Sequence, residues 1–283
     1  RVRGAEPDFA SQQDVMPWIE CPYMCGYRPA AELEQPGDVR VFKSHLRYRE
    51  LLDTNMHRRK LVYVFRNLVD RMRSIHPFVC GLMQVDTRTL PLADFTNFIC
   101  LLRFAHFDVR LQLESLCDFW LHRNDDNVLF LFFDDLIAQR EQCIRDIARF
   151  MEVRADDALV RRVAEQTSHT VMCSPEHWHR FSESKIVHDV QRYFKLSEQQ
   201  LVAHVGKVRK GGGKSGEGRA VVPKWFQRVV DATWRDVVTE RIGFNSLEEM
   251  RAAWRAERAA ATAGGGGGAS GSGHGDARAG ESQ

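Results

Sequence analysis

The sequence predicts an α/β fold, a parallel sheet flanked by helices, on three observations. Short apolar runs alternate with longer helical patterns. Two runs, "LVYVF" (61–65) and "VLFLFF" (128–133), are continuously apolar, the pattern of strands covered on both faces. Polar residues gather just past these runs, at the edge where open α/β sheets bind ligands.

The first expected strand is "VRVF" (Val39 to Phe42), which leads into Lys43, Ser44 and His45. The second, "LVYVF", delivers Arg66 at its tip and continues into a helical pattern that carries Ser74. The third runs into "DDL", where Asp134 or Asp135 is expected to cap one helix with Leu136, Ile137, Ile144, Ile147, Ala148 and Phe150 on one side. A further helix is expected to begin near Asp157 and to end at "TSHTVM", Thr167 to Met172. From Ala259 the chain turns Gly/Ser-rich, a composition that cannot offset its ordering entropy. One domain is therefore expected over 1–258 and a disordered tail over 259–283.

Composition narrows the function. A net charge of +2 gives no global basic field, so nucleic acid is not an expected partner. No run approaches the eighteen or more apolar residues of a membrane helix. Seven scattered cysteines read as reduced core thiols, which favours the cytoplasm. The "CPYMC" pair lacks a matching Cys/His pair, so it reads as two thiols and no metal is expected.

Four stretches could carry chemistry, and each also has a bland reading. Lys43 and His45, two apart past a strand, suit a general base and a cation for developing negative charge. They also fit a solvated loop. Arg66 and Ser74 could both reach a phosphate beside a helix N-terminus; alternatively Arg66 pairs with Asp70. "GKVRKGGGKSGEGR" (206–219) holds five basic residues, six glycines and one acid, and suits closure over a polyanion. It is not a GxxxxGK(S/T) loop, because position 208 is valine; a solvated linker fits as well. "TSHTVM" could hold and stack a base, or be a plain helix end.

Taken in order, these stretches resemble the cytosolic-type sulfotransferases, which use 3′-phosphoadenosine 5′-phosphosulfate as donor. The resemblance runs from "PWIE" (17–20) to about "RDVV" (235–238). "FKSHL" is similar to the family's (S/T)H segment, and "VYVFRNLVDRMRS" to its VYVxRNPKDxxxS phosphate signature. "WLHRNDDNVLFLFFDDL" resembles WWxxRxxxNVLFLxYEDL, "TSHTVM" resembles TSFxxM, and "RKGGGKSGEG" resembles RKGxxGDW. The resemblance implies a P-loop-type α/β sandwich with Arg66, Ser74, Arg209, Lys210 and Gly211 around the donor's 3′-phosphate. Phe133, Thr167, Ser168 and His169 would contact the nucleotide, with His169 where the family has a stacking phenylalanine. It further implies in-line sulfuryl transfer to a small phenol, alcohol or amine, with His45 as general base, Lys43 stabilising charge, and no metal.

The departures set further expectations. The family's TYPKSGTTW loop should precede "PWIE", yet the sixteen residues before Pro17 do not resemble it. The chain is expected to be truncated at its N-terminus and to lack that loop and the strand before it. Phe133 replaces a tyrosine, Leu68 replaces a proline, and Glu217 replaces an aspartate. The family's KxxxTVxxxE dimer motif is not recognisable around 219–228, so oligomeric state stays open. An inactive nucleotide-binding protein of the same fold is the competing reading. A P-loop phosphotransferase is disfavoured, because the loop lacks the necessary glycine. "CPYMCGY" and "SPEHWHRF" (174–181) are the expected acceptor loops.

Overall fold

The structure, a computed structural model, describes residues 12–20, 35, 39–102, 107–178, 191–197 and 215–264. It divides into two compact units, Arg1–Gly243 and Phe244–Gln283. In the first, helices α1 (Gln12–Val15) and α2 (Tyr48–Asp53) precede strand β1 (Leu61–Phe65). Strand β2 (Val128–Phe132) pairs with β1 in parallel, from Leu61 opposite Val128 to Phe65 opposite Phe132. Parallel strands need a crossover. Here it runs through α3 (Leu68–Leu82), α4 (Leu92–Leu102) and α5 (Val109–Leu121).

Local chemistry explains where these helices start. The Asn67 side-chain oxygen accepts the Val69 and Asp70 N–H groups at 2.9 and 3.3 Å, capping α3 directly after Arg66. Asp108 caps α5 by accepting Leu111 N–H at 3.0 Å. The buried positions Leu113, Leu116, Cys117 and Trp120 then form the stripe by which α5 packs. Register places Tyr63 opposite Phe130, and α5 covers both. Phe119 stacks on Tyr63 at 4.0 Å, and Trp120 meets Phe130 edge-on at 5.6 Å. Burying each such ring contributes roughly 1.5–3 kcal/mol.

Three expectations are corrected. Val39 to Phe42 is not a strand: among the described residues one parallel bridge forms there, between Trp18 and Lys43. Two hydrogen bonds hold it, Lys43 N–H to Pro17 at 2.9 Å and Ile19 N–H to Lys43 at 3.0 Å, and a single rung makes no ladder. Second, β1 is not covered on both faces. Tyr63 and Phe65 turn inward, while Val62 and Val64 are 44% and 42% exposed. An apolar run encodes affinity for cover but not whether a neighbour supplies it. β2 is buried at Val128 and from Phe130 to Phe132, as expected.

Third, the helix after β2 is two helices, α6 (Phe133–Ala138) and α7 (Arg140–Phe150), because Gln139 leaves helical geometry between them. Asp134 and Asp135 do not cap; they sit in the first turn of α6, where the helix dipole favours negative charge. Next come α8 (Asp157–Gln166), capped by Asp156, then α9 (His169–Met172) and α10 (Pro175–Trp178). The first unit closes with α11 (Gly218–Val221), α12 (Lys224–Trp234), a π-helical turn (Arg235–Thr239) and α13 (Glu240–Ile242).

In the second unit, α14 (Leu247–Gly264) buries Leu247, Met250 and Trp254 at helical spacing. It continues six residues into the segment expected to be disordered. The run Ala259-Ala260-Ala261 explains this, since alanine is the strongest helix former. Residues 265–283 lie outside the described residues. Among the described residues, no helix is long and apolar enough to cross a membrane. Five cysteines there are free thiols, and Cys80, Cys117 and Cys143 are buried.

Candidate active site

Parallel register brings the two strand tips together. Phe65 lies opposite Phe132, so the next residues, Arg66 and Phe133, become neighbours. The Arg66 guanidinium sits over the Phe133 ring, 4.3 Å from its centroid. This is a cation–π contact.

The segment 215–218 is bound to the helices that begin at these tips. Asp70, buried in the first turn of α3, accepts Gly216 N–H on one carboxylate oxygen and Gly218 N–H on the other, each at 2.7 Å. Arg73 pairs with Glu217, and the Ser215 hydroxyl donates to Asp134 at 3.1 Å. Gly218 has no room for a side chain: a Cβ would lie 2.7 Å from the Val69 carbonyl oxygen. Glycine stands here where the resembled motif carries tryptophan. Gly216 takes a left-handed φ of +87°, as glycine readily does. Ser74 lies one turn beyond Asp70, on the same side of α3. Arg209, Lys210 and Gly211 precede this anchored segment and lie outside the described residues.

A second cluster forms where 17–20 runs beside 43–46. Residues bridged in parallel share a face, and so do residues two apart. Trp18 therefore stands beside Lys43 and His45. The Lys43 ammonium lies 4.2 Å from the centroid of the indole, and the His45 ring meets the indole edge-on at 4.6 Å. Glu20, two residues after Trp18, accepts on a single oxygen from the Ser44 hydroxyl at 2.5 Å and from His45 and Leu46 N–H at 2.6 and 3.0 Å. Three donors on one carboxylate oxygen fix the backbone that carries His45.

Thr167, Ser168 and His169 occupy the corner between α8 and α9. The Thr167 hydroxyl donates to Val163 O at 2.7 Å, Ser168 caps α9, and His169 Nε2 lies 3.4 Å from Cys173 Sγ. The described contacts thus join Arg66 with Phe133, and Lys43 with His45; those of 167–169 are local. Of the expected acceptor loops, "CPYMCGY" lies outside the described residues, as do 179–181; Ser174 and His177 are hydrogen-bonded at 2.9 Å.

Burial sets the electrostatics around the strands. It pushes the Tyr63 phenol well above its ordinary value and the Cys117 thiol to about 11. Burial lowers the Arg71 guanidinium, which donates to Gln112 at 2.6 Å. Among the described residues, no group of three or more His, Cys, Asp or Glu side chains could hold a metal ion.

Residue-level reading missed Trp18, Glu20, Asp70 and Asp134 as parts of these clusters. Trp18 and Glu20 belong to "PWIE", and Asp70 is the acid of the phosphate signature, so motif matching could have found all three.

The sulfotransferase domain family model matches residues 2–199. Sulfotransferase 4A1 of Homo sapiens is 30% identical over 168 residues, covering 58% of this chain and 56% of that protein; the Mus musculus protein matches equally. The chain thus spans little more than half the length of these curated relatives. Among solved structures, retinol dehydratase in complex with retinol and PAP is similar with a TM-score of 0.53 at 21% identity, covering 76% of this chain and 59% of that one. Mouse sulfotransferase SULT7A1 complexed with PAP gives 0.50 at 19%, covering 73% and 68%.

Proposed function

Because the chain belongs to the sulfotransferase domain family and has its α/β fold, we propose that it transfers a sulfuryl group from 3′-phosphoadenosine 5′-phosphosulfate to a small acceptor. One observation supports this reading above the rest. The segment that follows the basic loop is tied by Asp70, Arg73 and Asp134 to the helices that begin at the Arg66 and Phe133 strand tips. In this reading Arg209, Lys210 and Gly211, which precede the tied segment in the chain, join Arg66 and Ser74 in a set suited to a 3′-phosphate.

The bound donor supplies the sulfuryl group. His45 takes the proton of the acceptor's hydroxyl or amine as that oxygen or nitrogen bonds to sulfur. The bond from sulfur to the bridging phosphate oxygen breaks, and adenosine 3′,5′-bisphosphate leaves. Lys43 stabilises charge on that oxygen, with no metal called upon. Phe133, Thr167, Ser168 and His169 hold the nucleotide. The acceptor is a phenol, alcohol or amine, in keeping with the retinol and androsterone carried by related structures, and the setting is cytoplasmic.

Melting the chain with and without adenosine 3′,5′-bisphosphate tests the nucleotide site. Ligand at a hundred times its dissociation constant should add about 2.7 kcal/mol, and Arg66→Ala should remove the gain. Turnover of 2-naphthol with the donor then tests transfer. Binding without turnover would leave a nucleotide-binding protein and sink the enzymatic reading.

A further inference from the structure

We propose that Trp18 is a positioning residue for both candidate reacting groups, holding the Lys43 ammonium and the His45 imidazole against one indole. The inference rests on the sulfuryl-transfer reading of Lys43 and His45. Its geometry comes from the bridge. Trp18 and Lys43 are bridge partners in parallel register, held by Lys43's bonds to Pro17 and Ile19, so their side chains leave on the same side, and His45 follows two residues later. The indole is common to both, with the ammonium 4.2 Å and the imidazole centroid 4.6 Å from it.

Each contact uses a different part of the ring's charge distribution. The negative face of an indole attracts an ammonium, and an edge-on approach suits a neighbouring ring. Lysine is among the side chains with most rotamer freedom to lose, so an ammonium that must meet a developing charge gains from being ordered beforehand. Glu20 orders the backbone of this wall, through the His45 and Leu46 N–H groups. Trp18 orders its two side chains. A phenylalanine at 18 would keep a weaker version of both contacts, and a leucine neither.

The test uses the full chain with isotope-labelled histidine rings and follows the His45 resonances, assigned with His45→Gln. His122, stacked on Tyr48 at 4.2 Å, is the internal control. A ring-current shift at His45 that vanishes in Trp18→Leu and persists in part in Trp18→Phe, with His122 unmoved, supports the proposal. So does a kcat lowered about a hundredfold in Trp18→Leu, with the donor KM and the melting shift from adenosine 3′,5′-bisphosphate unchanged and Trp18→Phe recovering most of the rate. An unshifted His45 in the unsubstituted chain overturns the proposal without any variant, which covers the case of Trp18→Leu failing to fold. Equal loss of donor binding and turnover also overturns it. If the unsubstituted chain binds nucleotide but never sulfates 2-naphthol, the transfer reading is what fails. The His45 shift alone then decides the proposal: lost in Trp18→Leu it stands, unmoved it falls.

Discussion

Phe133 carries the Arg66 guanidinium 4.3 Å from its ring centroid, so it should act on the 3′-phosphate through the arginine. Phe133→Leu is expected to weaken binding of adenosine 3′,5′-bisphosphate by about 1 kcal/mol, while binding of adenosine 5′-monophosphate, which lacks the 3′-phosphate, stays the same. Calorimetry with the two nucleotides checks this, and equal losses would count against it. Residues of this kind differ in how far the sequence announces them. Arg66 is legible because a charged residue ending an apolar run must emerge at a strand tip. Lys43 and His45 are legible as a spaced pair, although the stretch before them is not the strand expected there. Trp18 and Glu20 are not legible from residue chemistry, because their partners lie about 25 positions away and nothing local encodes the bridge that joins them.

α3 is an element whose start does two tasks, since Asn67 caps it and Asp70 in its first turn holds two foreign N–H groups. Asp70→Asn replaces one acceptor oxygen with a donor that faces an N–H, and should cost roughly 1.5–3 kcal/mol in urea unfolding. Gly218→Ala should cost about 1–3 kcal/mol by pushing a methyl group onto the Val69 carbonyl; a neutral result would mean the segment shifts freely. The strands make the opposite point. Both read as equally buried, yet Val64→Thr on exposed β1 should change stability by less than about 0.5 kcal/mol. Leu131→Ala in β2 should cost about 2–5 kcal/mol. Helix starts near Asn67 and Asp157 follow from local chemistry. Burial of a strand face depends on neighbours.

For the molecule as a whole, the alternation of strand and helix is legible because period and apolar run length survive without any partner. The division at Gly243 and the helical stretch 259–264 are not: glycine-rich composition hides a short alanine run. Global opening has its own probe in the thiols. Cys80, Cys117 and Cys143 are buried, and the Cys117 thiol is pushed to about 11, so each should resist iodoacetamide until the chain unfolds. Cys100 and Cys173 are partly exposed and should react in the native chain. Peptide mass spectrometry on a urea series checks the order, and early labelling of Cys117 would show that α5 opens locally.

The Asp70 tie also acts as a tether. Lys210 lies six residues before Gly216, so the chain can carry it no further than about 22 Å from that anchor. Under the proposed function, confinement of this kind would raise the effective concentration of the segment's cations toward the nucleotide. Loosening the tether in Asp70→Ala would leave every one of those cations in the chain and is still expected to lower nucleotide affinity, through loss of locality rather than of charge.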